Sequence, residues 1–459
     1  MKKKRHFFLI GLNLLCFSSL SEAENLLQVY RQAKSSNPDL RSAAAERDIA
    51  YEKINESRSS LLPQIGLSGL YGYQEGLRSN TNLKSNRATA SLQLRQTLFN
   101  MSKWREMTSN QKSAGIQEVD FQVKEQKLLL STATAYFNVL RTIDILSFTE
   151  SRKTAIYRKL DETTQRLNVG LVAITDVQNA RADYDMILAD EVKARNELDN
   201  ALEALREISG GDYASLSTVN VDRLKVSRPE PVNQLVKEAE QKNLELLVAR
   251  LSQDFARHQI KLAQAGHMPT LNLNASSEFS NIYKRKGPSS EKSYNGENSV
   301  SINLDIPLYQ GGFTHSKVEQ AQHNFVRLSE KLVSKKREVF KNLRSSFNNI
   351  SAAISGINAY QQAVVSAKSS LNSMEAGYNV GTRTILDVLK STYELYDAKQ
   401  KLSNARYDYL INTLSIKYSL GTLNESDLAS INNLLEKSVS TSATTLAPEV
   451  STLTKKRKF

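Results

Sequence analysis

The side chains in this 459-residue chain that could do chemistry offer polar pairing and no reaction centre. Asp176 can accept a hydrogen bond from a phenol such as Tyr378 and pair with a guanidinium such as Arg383. Thr175 and Gln165 add a hydroxyl and an amide nearby. Bonds of this kind are worth about 1–3 kcal/mol each when one partner is charged. Left to themselves, such charges on helix surfaces are simply solvated. Nothing resembling a reaction centre accompanies them. There is no Gly-rich phosphate loop and no His-Glu-x-x-His run, and His258, His267, His315 and His323 lack metal-ligand spacing. Gly66, Gly69 and Gly72 belong to an alternating strand, not to a phosphate cradle. The expectation is a non-enzyme with no cofactor and no bound metal.

These residues flank two turns that repeat each other. Asn168-Val169-Gly170 is followed by Ile174, Asp176 and Val177, and Asn379-Val380-Gly381 is followed by Ile385, Asp387 and Val388, an offset of 211 throughout. Leu98-Phe99 matches Leu308-Tyr309 at 210, and Asn37, Leu40 and Pro63 match Asn243, Leu246 and Pro269 at 206. So small a drift over the chain marks a tandem duplication. Residues 24–230 form one repeat and 231–425 the other.

The eight prolines leave two long tracts free of proline, 64–228 and 308–447. Proline costs about 3 kcal/mol inside a helix, so these tracts leave room for very long ones. Phe340, Leu343, Phe347, Ile350, Ile354 and Ile357 recur at alternating steps of three and four, the seam of a coiled coil. Leu129, Tyr136, Val139, Ile143 and Leu146 repeat it in the first half. The pattern predicts helices over about 101–208 and 313–420, each broken only by an Asn-Val-Gly turn. Each half is then a helical hairpin on the order of 100 Å long.

Ahead of each hairpin the period falls to two. Ala90, Leu92 and Leu94 alternate with polar residues, as do Val300, Ile302, Leu304 and Ile306. Their partners carry Ile65, Leu67, Tyr71 and Tyr73 on one face, and Leu271, Leu273 and Ala275. This predicts two strand pairs, at about 64–99 and 270–307, joined by polar loops at roughly 74–86 and 277–297. Such strands suit a membrane barrel with one face to lipid, or a half-buried sheet on a soluble core. Four strands cannot close a barrel in lipid, because open edges leave backbone groups unpaired. Copies of the chain would have to pool their strands, and a trimer supplies twelve.

The N-terminus supplies the compartment. Lys2 to Arg5 precede an apolar stretch from Phe7 to Leu20 and a small-residue cleavage site at Ser21-Glu22-Ala23, so residues 1–23 read as an export signal. The only cysteine, Cys16, lies inside it, and Leu15 is too large for lipoprotein processing. Of the formal charge of +13, the signal carries three and the tail cluster Lys455 to Lys458 carries four. The remaining +6 over more than 400 residues forms no basic stripe, so nucleic acid is not an expected partner. Residues 426–459 read as the end of the fold followed, after about Lys437, by a disordered basic tail rich in Ser and Thr.

With the runs Asn168 to Ala180 and Gly377 to Val388, the chain resembles the TolC family of outer-membrane factors over about Glu24 to Asn433. The resemblance implies a mixed α and β membrane protein: a homotrimer with a 12-stranded barrel in the outer-membrane lipid and a 12-helix tunnel across the periplasm. A small α/β belt would form from about 211–232 and from Asn424 onwards. It implies an exit duct for efflux and type I secretion, recruited by a periplasmic adaptor and an inner-membrane pump or ABC exporter, passing drugs, bile salts or toxin proteins. Gln165, Thr175, Asp176, Tyr378 and Arg383 would latch the periplasmic entrance. Val169-Gly170-Leu171 and Val380-Gly381-Thr382 would be the tips presented to the adaptor. The chain departs from the family at one place. Where two aspartate rings line the entrance, here stand Asp387 and Lys390, spaced so that each pair could meet on its own helix. The entrance should then be almost neutral and block cations weakly. The alternative is a periplasmic structural coiled coil without a membrane barrel.

Overall fold

Asparagine side chains cap five of the described α-helices. In a computed structural model, residues 24–75, 84–220, 223–286 and 293–447 are described, so the expected export signal and the last residues of the expected tail lie outside the description. Asn25 opens α1 (Leu26–Ser36) through a capping box with Gln28. Asn37 caps α2 (Pro38–Ser59). The strands β1 (Gln64–Glu75) and β2 (Lys84–Asn100) follow, and Asn100 caps α3 (Met101–Asn168), 68 residues without a break. α4 (Ile174–Ser209) returns beside it and leads to β3 (Ser215–Val219). The second repeat runs α5 (Val232–Lys242), α6 (Leu244–Gln264), β4 (Thr270–Lys286), β5 (Ser293–Asp305), α7 (Phe313–Asn379) and α8 (Ile385–Leu420). α9 (Glu425–Asn432), β6 (Leu435–Ser440) and α10 (Ala443–Leu446) end the described chain.

The duplication holds at the level of single bonds. Asn37 Oδ1 accepts from Leu40 N at 3.0 Å while its Nδ2 donates to Ile208 O at 3.1 Å. Asn243 does the same with Leu246 N and Ser419 O, both at 2.8 Å. Each buried asparagine thus starts one helix and satisfies an orphan carbonyl at the end of another. Lys34 pairs with Glu125 in the first repeat, and Glu240 with Lys336 at the matching positions of the second. The ion pair survives with its charges exchanged.

The four long strands form one antiparallel sheet in the order β1-β2-β4-β5, with β1 and β5 at its edges. The register aligns the apolar residues of neighbouring strands: Leu67 faces Leu92, Leu94 faces Ala275, and Leu273 faces Ile302. That row is uncovered, with Leu67 at 78 % exposure and Val300 at 75 %. The opposite face carries hydroxyl pairs such as Ser68 with Ser91 and Ser276 with Ser299. The strands are longer than the alternation predicts. Segments 277–286 and 293–297, read as loop, continue β4 and β5. Ser277, Glu278, Ser280 and Asn281 give no apolar signal, yet backbone ladders across to β2 and β5 hold them extended.

The core lies halfway along the helices. Leu129, Tyr136, Val139, Ile143 and Leu146 are all buried against α8 and the belt. In α7 the equivalent seam is only partly covered: Leu343, Ile350 and Ile357 are buried, while Phe340, Phe347 and Ile354 are half-buried. The belt is the two-stranded sheet β3–β6 with the short helices around it. The Tyr136 hydroxyl ties it to α3 by donating to Ser217 O at 2.7 Å. Residues 437–447 are ordered, contrary to the sequence expectation. β6 is paired along β3, Arg195 donates to the carbonyls of Ala443 and Ala447, and Ala447 is fully buried. Among the described residues no helix is long and apolar enough to cross a membrane.

Candidate functional site

The hairpin ends gather most of the residues singled out by the sequence. α3 stops at Asn168 because Gly170 turns with φ 77°, and α7 stops at Asn379 because Gly381 turns with φ 78°. Gly170 N donates to Leu167 O and Leu171 N to Arg166 O, and the second tip repeats this with Gly381 on Tyr378 O and Thr382 on Gly377 O. A side chain at either glycine would meet open space, so backbone conformation alone requires glycine there. The tips leave Val169, Leu171 and Val380 between 70 % and 75 % exposed, an apolar surface at the very end of the molecule.

Behind the tips the two repeats differ in one capping residue, with a large consequence. Thr384 caps α8, and Asp387 completes a capping box: its Oδ2 accepts from Thr384 N and from the Thr384 hydroxyl, both at 2.9 Å. These bonds hold the Asp387 carboxyl below its ordinary pKa, with Arg383 and Lys390 adding at longer range. The matching position before α4 is Ala173, which has no side chain to cap with. Asp176, in the place of Asp387, is therefore left with no hydrogen bond or ion pair to its carboxylate among the described residues.

The pairing of Asp387 with Lys390 expected from their spacing does not form. The N-terminal cap draws the carboxylate back towards Thr384, while Lys390 stands exposed one turn further on. Tyr378 is buried, and its hydroxyl and ring meet polar partners on α3, not Asp176. Its hydroxyl meets that of Thr163 at 3.4 Å, and the Arg166 guanidinium lies 4.7 Å from its ring centre. Arg166 also holds Asn379 Oδ1 at 2.7 Å and Glu162 at 2.8 Å, and Lys159 bridges Glu162 and Glu375. Arg166, Thr163 and Lys159 thus clasp one hairpin to the other, a role the sequence reading missed. Their positive and hydroxyl side chains at i, i+4 and i+7, one face of α3, were its only signal. Gln165 is spent on Asp161 of its own helix at 2.9 Å, and Thr175 and Arg383 stand exposed.

Nothing here is arranged for metal chemistry. Among the described residues no group of His, Cys, Asp and Glu could hold a metal ion. His258 is buried as a structural residue, its Nε2 3.0 Å from Arg105 O. What the arrangement can do is hold hairpin ends together through breakable polar contacts, with a carboxylate and two cations left facing outward.

A family model described as outer membrane efflux protein matches residues 29–211 and 235–422, one block in each repeat. The chain is 59 % identical over 454 residues to the outer membrane protein TolC of Escherichia coli (strain K12), covering 97 % of this chain and 92 % of that one. It is 26 % identical over 440 residues to the proteases secretion protein PrtF of Dickeya chrysanthemi, covering 93 % and 94 %. Among solved structures, the Campylobacter jejuni CmeC outer membrane channel has the same fold, with a TM-score of 0.76 at 16 % identity over 95 % of this chain and 98 % of that one.

Proposed function

Because the chain belongs to the outer membrane efflux protein family, we propose that three copies assemble into one continuous conduit whose periplasmic end is latched shut. The protein is an outer-membrane exit duct of a Gram-negative bacterium, serving efflux pumps and type I secretion, and it is not an enzyme. That membership sets aside the reading as a structural coiled coil without a membrane barrel.

The observation that carries the trimer is the sheet. It exposes an apolar face, and its edge strands β1 and β5 have no further partner among the described residues. In hydrocarbon an unpaired edge costs several kcal/mol per backbone group, so the edges must pair with other copies. Three four-stranded sheets close a barrel of twelve, within the range of outer-membrane barrels. Strands of 12 to 17 residues exceed the roughly 9–11 that span the bilayer. The excess of β4 beyond about Ser280 would stand outside it. Three pairs of hairpins then continue the lumen for about 100 Å.

At the entrance, the carboxylate of Asp176, left free by Ala173, would accept from Tyr378 and pair with Arg383 across the boundary between copies, with Thr175 and Gln165 beside them. Asp387 and Lys390 would line the constriction as a ring of alternating sign. The exposed tips Val169-Gly170-Leu171 and Val380-Gly381-Thr382 would receive the periplasmic adaptor that links the duct to an inner-membrane pump or ABC exporter. Drugs, bile salts or toxin proteins would be the cargo.

Fractionation tests this reading. Heat-resistant species of three chains in the outer-membrane fraction are expected. A monomer in the soluble periplasmic fraction would overturn it. Comparing a deletion strain for drug sensitivity and for exported toxin then separates the two services.

A further inference from the structure

Two apolar clusters hold the hairpins together, and they are separate. The one nearer the belt runs along α3 and α8 as far as Leu146 and Leu402. The other gathers Ile156, Ile187, Tyr378, Val388 and Leu389 behind the tips. Between them lies a polar stretch. A cavity of about 270 Å³ opens there between α3, α4 and α8, with Arg152, Asp190, Lys193, Tyr393 and Asp397 in its wall. Beside it Lys153 is buried against Glu191 at 2.7 Å, which fastens α3 to α4 within the first hairpin. The matching positions in the second hairpin are Val364 and Leu402.

Arg152 spans this stretch from hairpin to hairpin. Its guanidinium lies 4.8 Å from the ring centre of Tyr393 on α8 and 3.4 Å from the Asp190 carboxylate on α4. The Arg152 side chain is only 16 % exposed, so the charge is largely shielded from water and holds the ring face more firmly than a solvated one would. Arg152 also heads a series. Arg152, Lys159 and Arg166 stand seven residues apart, two turns each, along one face of α3. Each is anchored by a carboxylate of its own hairpin, Asp190 for the first and Glu162 for the other two. Each also reaches the second hairpin: Arg152 at Tyr393, Lys159 at Glu375 (3.5 Å) and Arg166 at the Tyr378 ring (4.7 Å). At offset 211 the matching residues are Ala363, Ser370 and Gly377, so this ladder of cations belongs to the first hairpin alone.

We propose that Arg152, Tyr393 and Asp190 form a further rung of the periplasmic latch, one that sets how far the entrance opens once the contacts nearer the tips have parted. The inference rests on the latched duct proposed above. With those contacts released, the second hairpin can swing from the first only below the highest contact still made. While Arg152 holds Tyr393, the free length is the stretch of α3 from Arg152 to Asn168, about 24 Å. Without that rung, the next polar contacts between the hairpins are Asp144 with the Tyr407 hydroxyl at 3.1 Å and Arg141 with Asp408 at 2.5 Å. The free length then runs from Asp144 to Asn168, about 36 Å. The area opened by a given swing grows with the square of that length, which is about twofold.

Single-channel conductance in planar bilayers tests the rung in an opened background carrying Tyr378→Phe, Arg383→Ser and Glu375→Gln. Adding Tyr393→Ala or Arg152→Gln should each raise the conductance of that background about twofold. The two together should do no more than either, since they remove one contact. Tyr393→Phe should leave the background unchanged, because the ring face remains. Tyr393 is 51 % exposed, so its truncation leaves the buried packing in place. In the otherwise wild-type channel Tyr393→Ala should change little, because the contacts nearer the tips still close the entrance. A background that Tyr393→Ala does not raise, that Tyr393→Phe raises equally, or in which the effects of Tyr393→Ala and Arg152→Gln multiply would overturn the rung and leave the latch standing. A background no more conductive than wild type would overturn latch and rung together.

Discussion

A single capping residue separates the two carboxylates behind the tips. Thr384 holds Asp387 in a capping box, and Ala173 leaves Asp176 with nothing to accept from at home. Ala173→Thr should therefore create the missing box, with Asp176 drawn back onto the new hydroxyl as Asp387 is onto Thr384. The new cap would stabilise α4 by about 1 kcal/mol, yet the latch would weaken. A higher resting conductance in planar bilayers, together with unchanged or raised thermal stability, is the expected pair of results. Unchanged conductance would count against Asp176 as a latch. The second residue-scale prediction concerns Lys390. Because the Asp387 carboxylate is occupied by Thr384, it forms no close ion pair with Lys390, which stands exposed. Divalent cations should block the wild-type channel weakly, and Lys390→Asp should strengthen the block several-fold. Equal block in both proteins would remove Lys390 from the entrance.

At the scale of elements, two glycines of nearly equal φ should behave differently. Gly381, φ 78°, faces open space, so Gly381→Ala costs only the left-handed backbone, about 1–2 kcal/mol. At Gly421, φ 77°, an added Cβ would come within 2.3 Å of Lys242 O, the backbone at the end of α5. Gly421→Ala should lower the melting temperature of the protein well beyond Gly381→Ala, because the end of α8 must then part from α5 and α6. Similar shifts would show that this junction is loose. The long helices and the placement of the strands were legible in the sequence because their signals are periodic. Asn168 and Asn379 end the helices where the Asn-Val-Gly repeats predicted. The outer halves of β4 and β5 were not legible, since residues such as Ser280 and Asn281 are held by ladder bonds that leave no pattern in hydropathy. β6 was hidden in the same way, its polar residues finding a partner in β3 that lies more than 200 positions earlier. At the site, the tips could be read from glycine alone. The partners of Tyr378 could not, because Thr163 and Arg166 reach it only once the hairpins are packed side by side.

For the whole molecule, the two faces of the sheet should tolerate charge differently. Ile302 lies on the apolar face and is 63 % exposed in the single chain, while Ser301 points to the other side. Ile302→Arg should cost about 2–4 kcal/mol near the bilayer midplane and deplete the outer-membrane trimer. Ser301→Arg should assemble normally and alter only ion selectivity. Equal tolerance at both positions would argue against lipid on the apolar face. A conduit continuous through strands and helices and shut at its periplasmic end, as proposed above, passes ions at a rate set by its latch. Single-channel recording of the purified trimer tests it most directly, comparing wild type with the double variant Tyr378→Phe, Arg383→Ser. A small, steady conductance that rises several-fold in the double variant is predicted. A wild type that conducts no ions, or one whose conductance the double variant leaves unchanged, would contradict it.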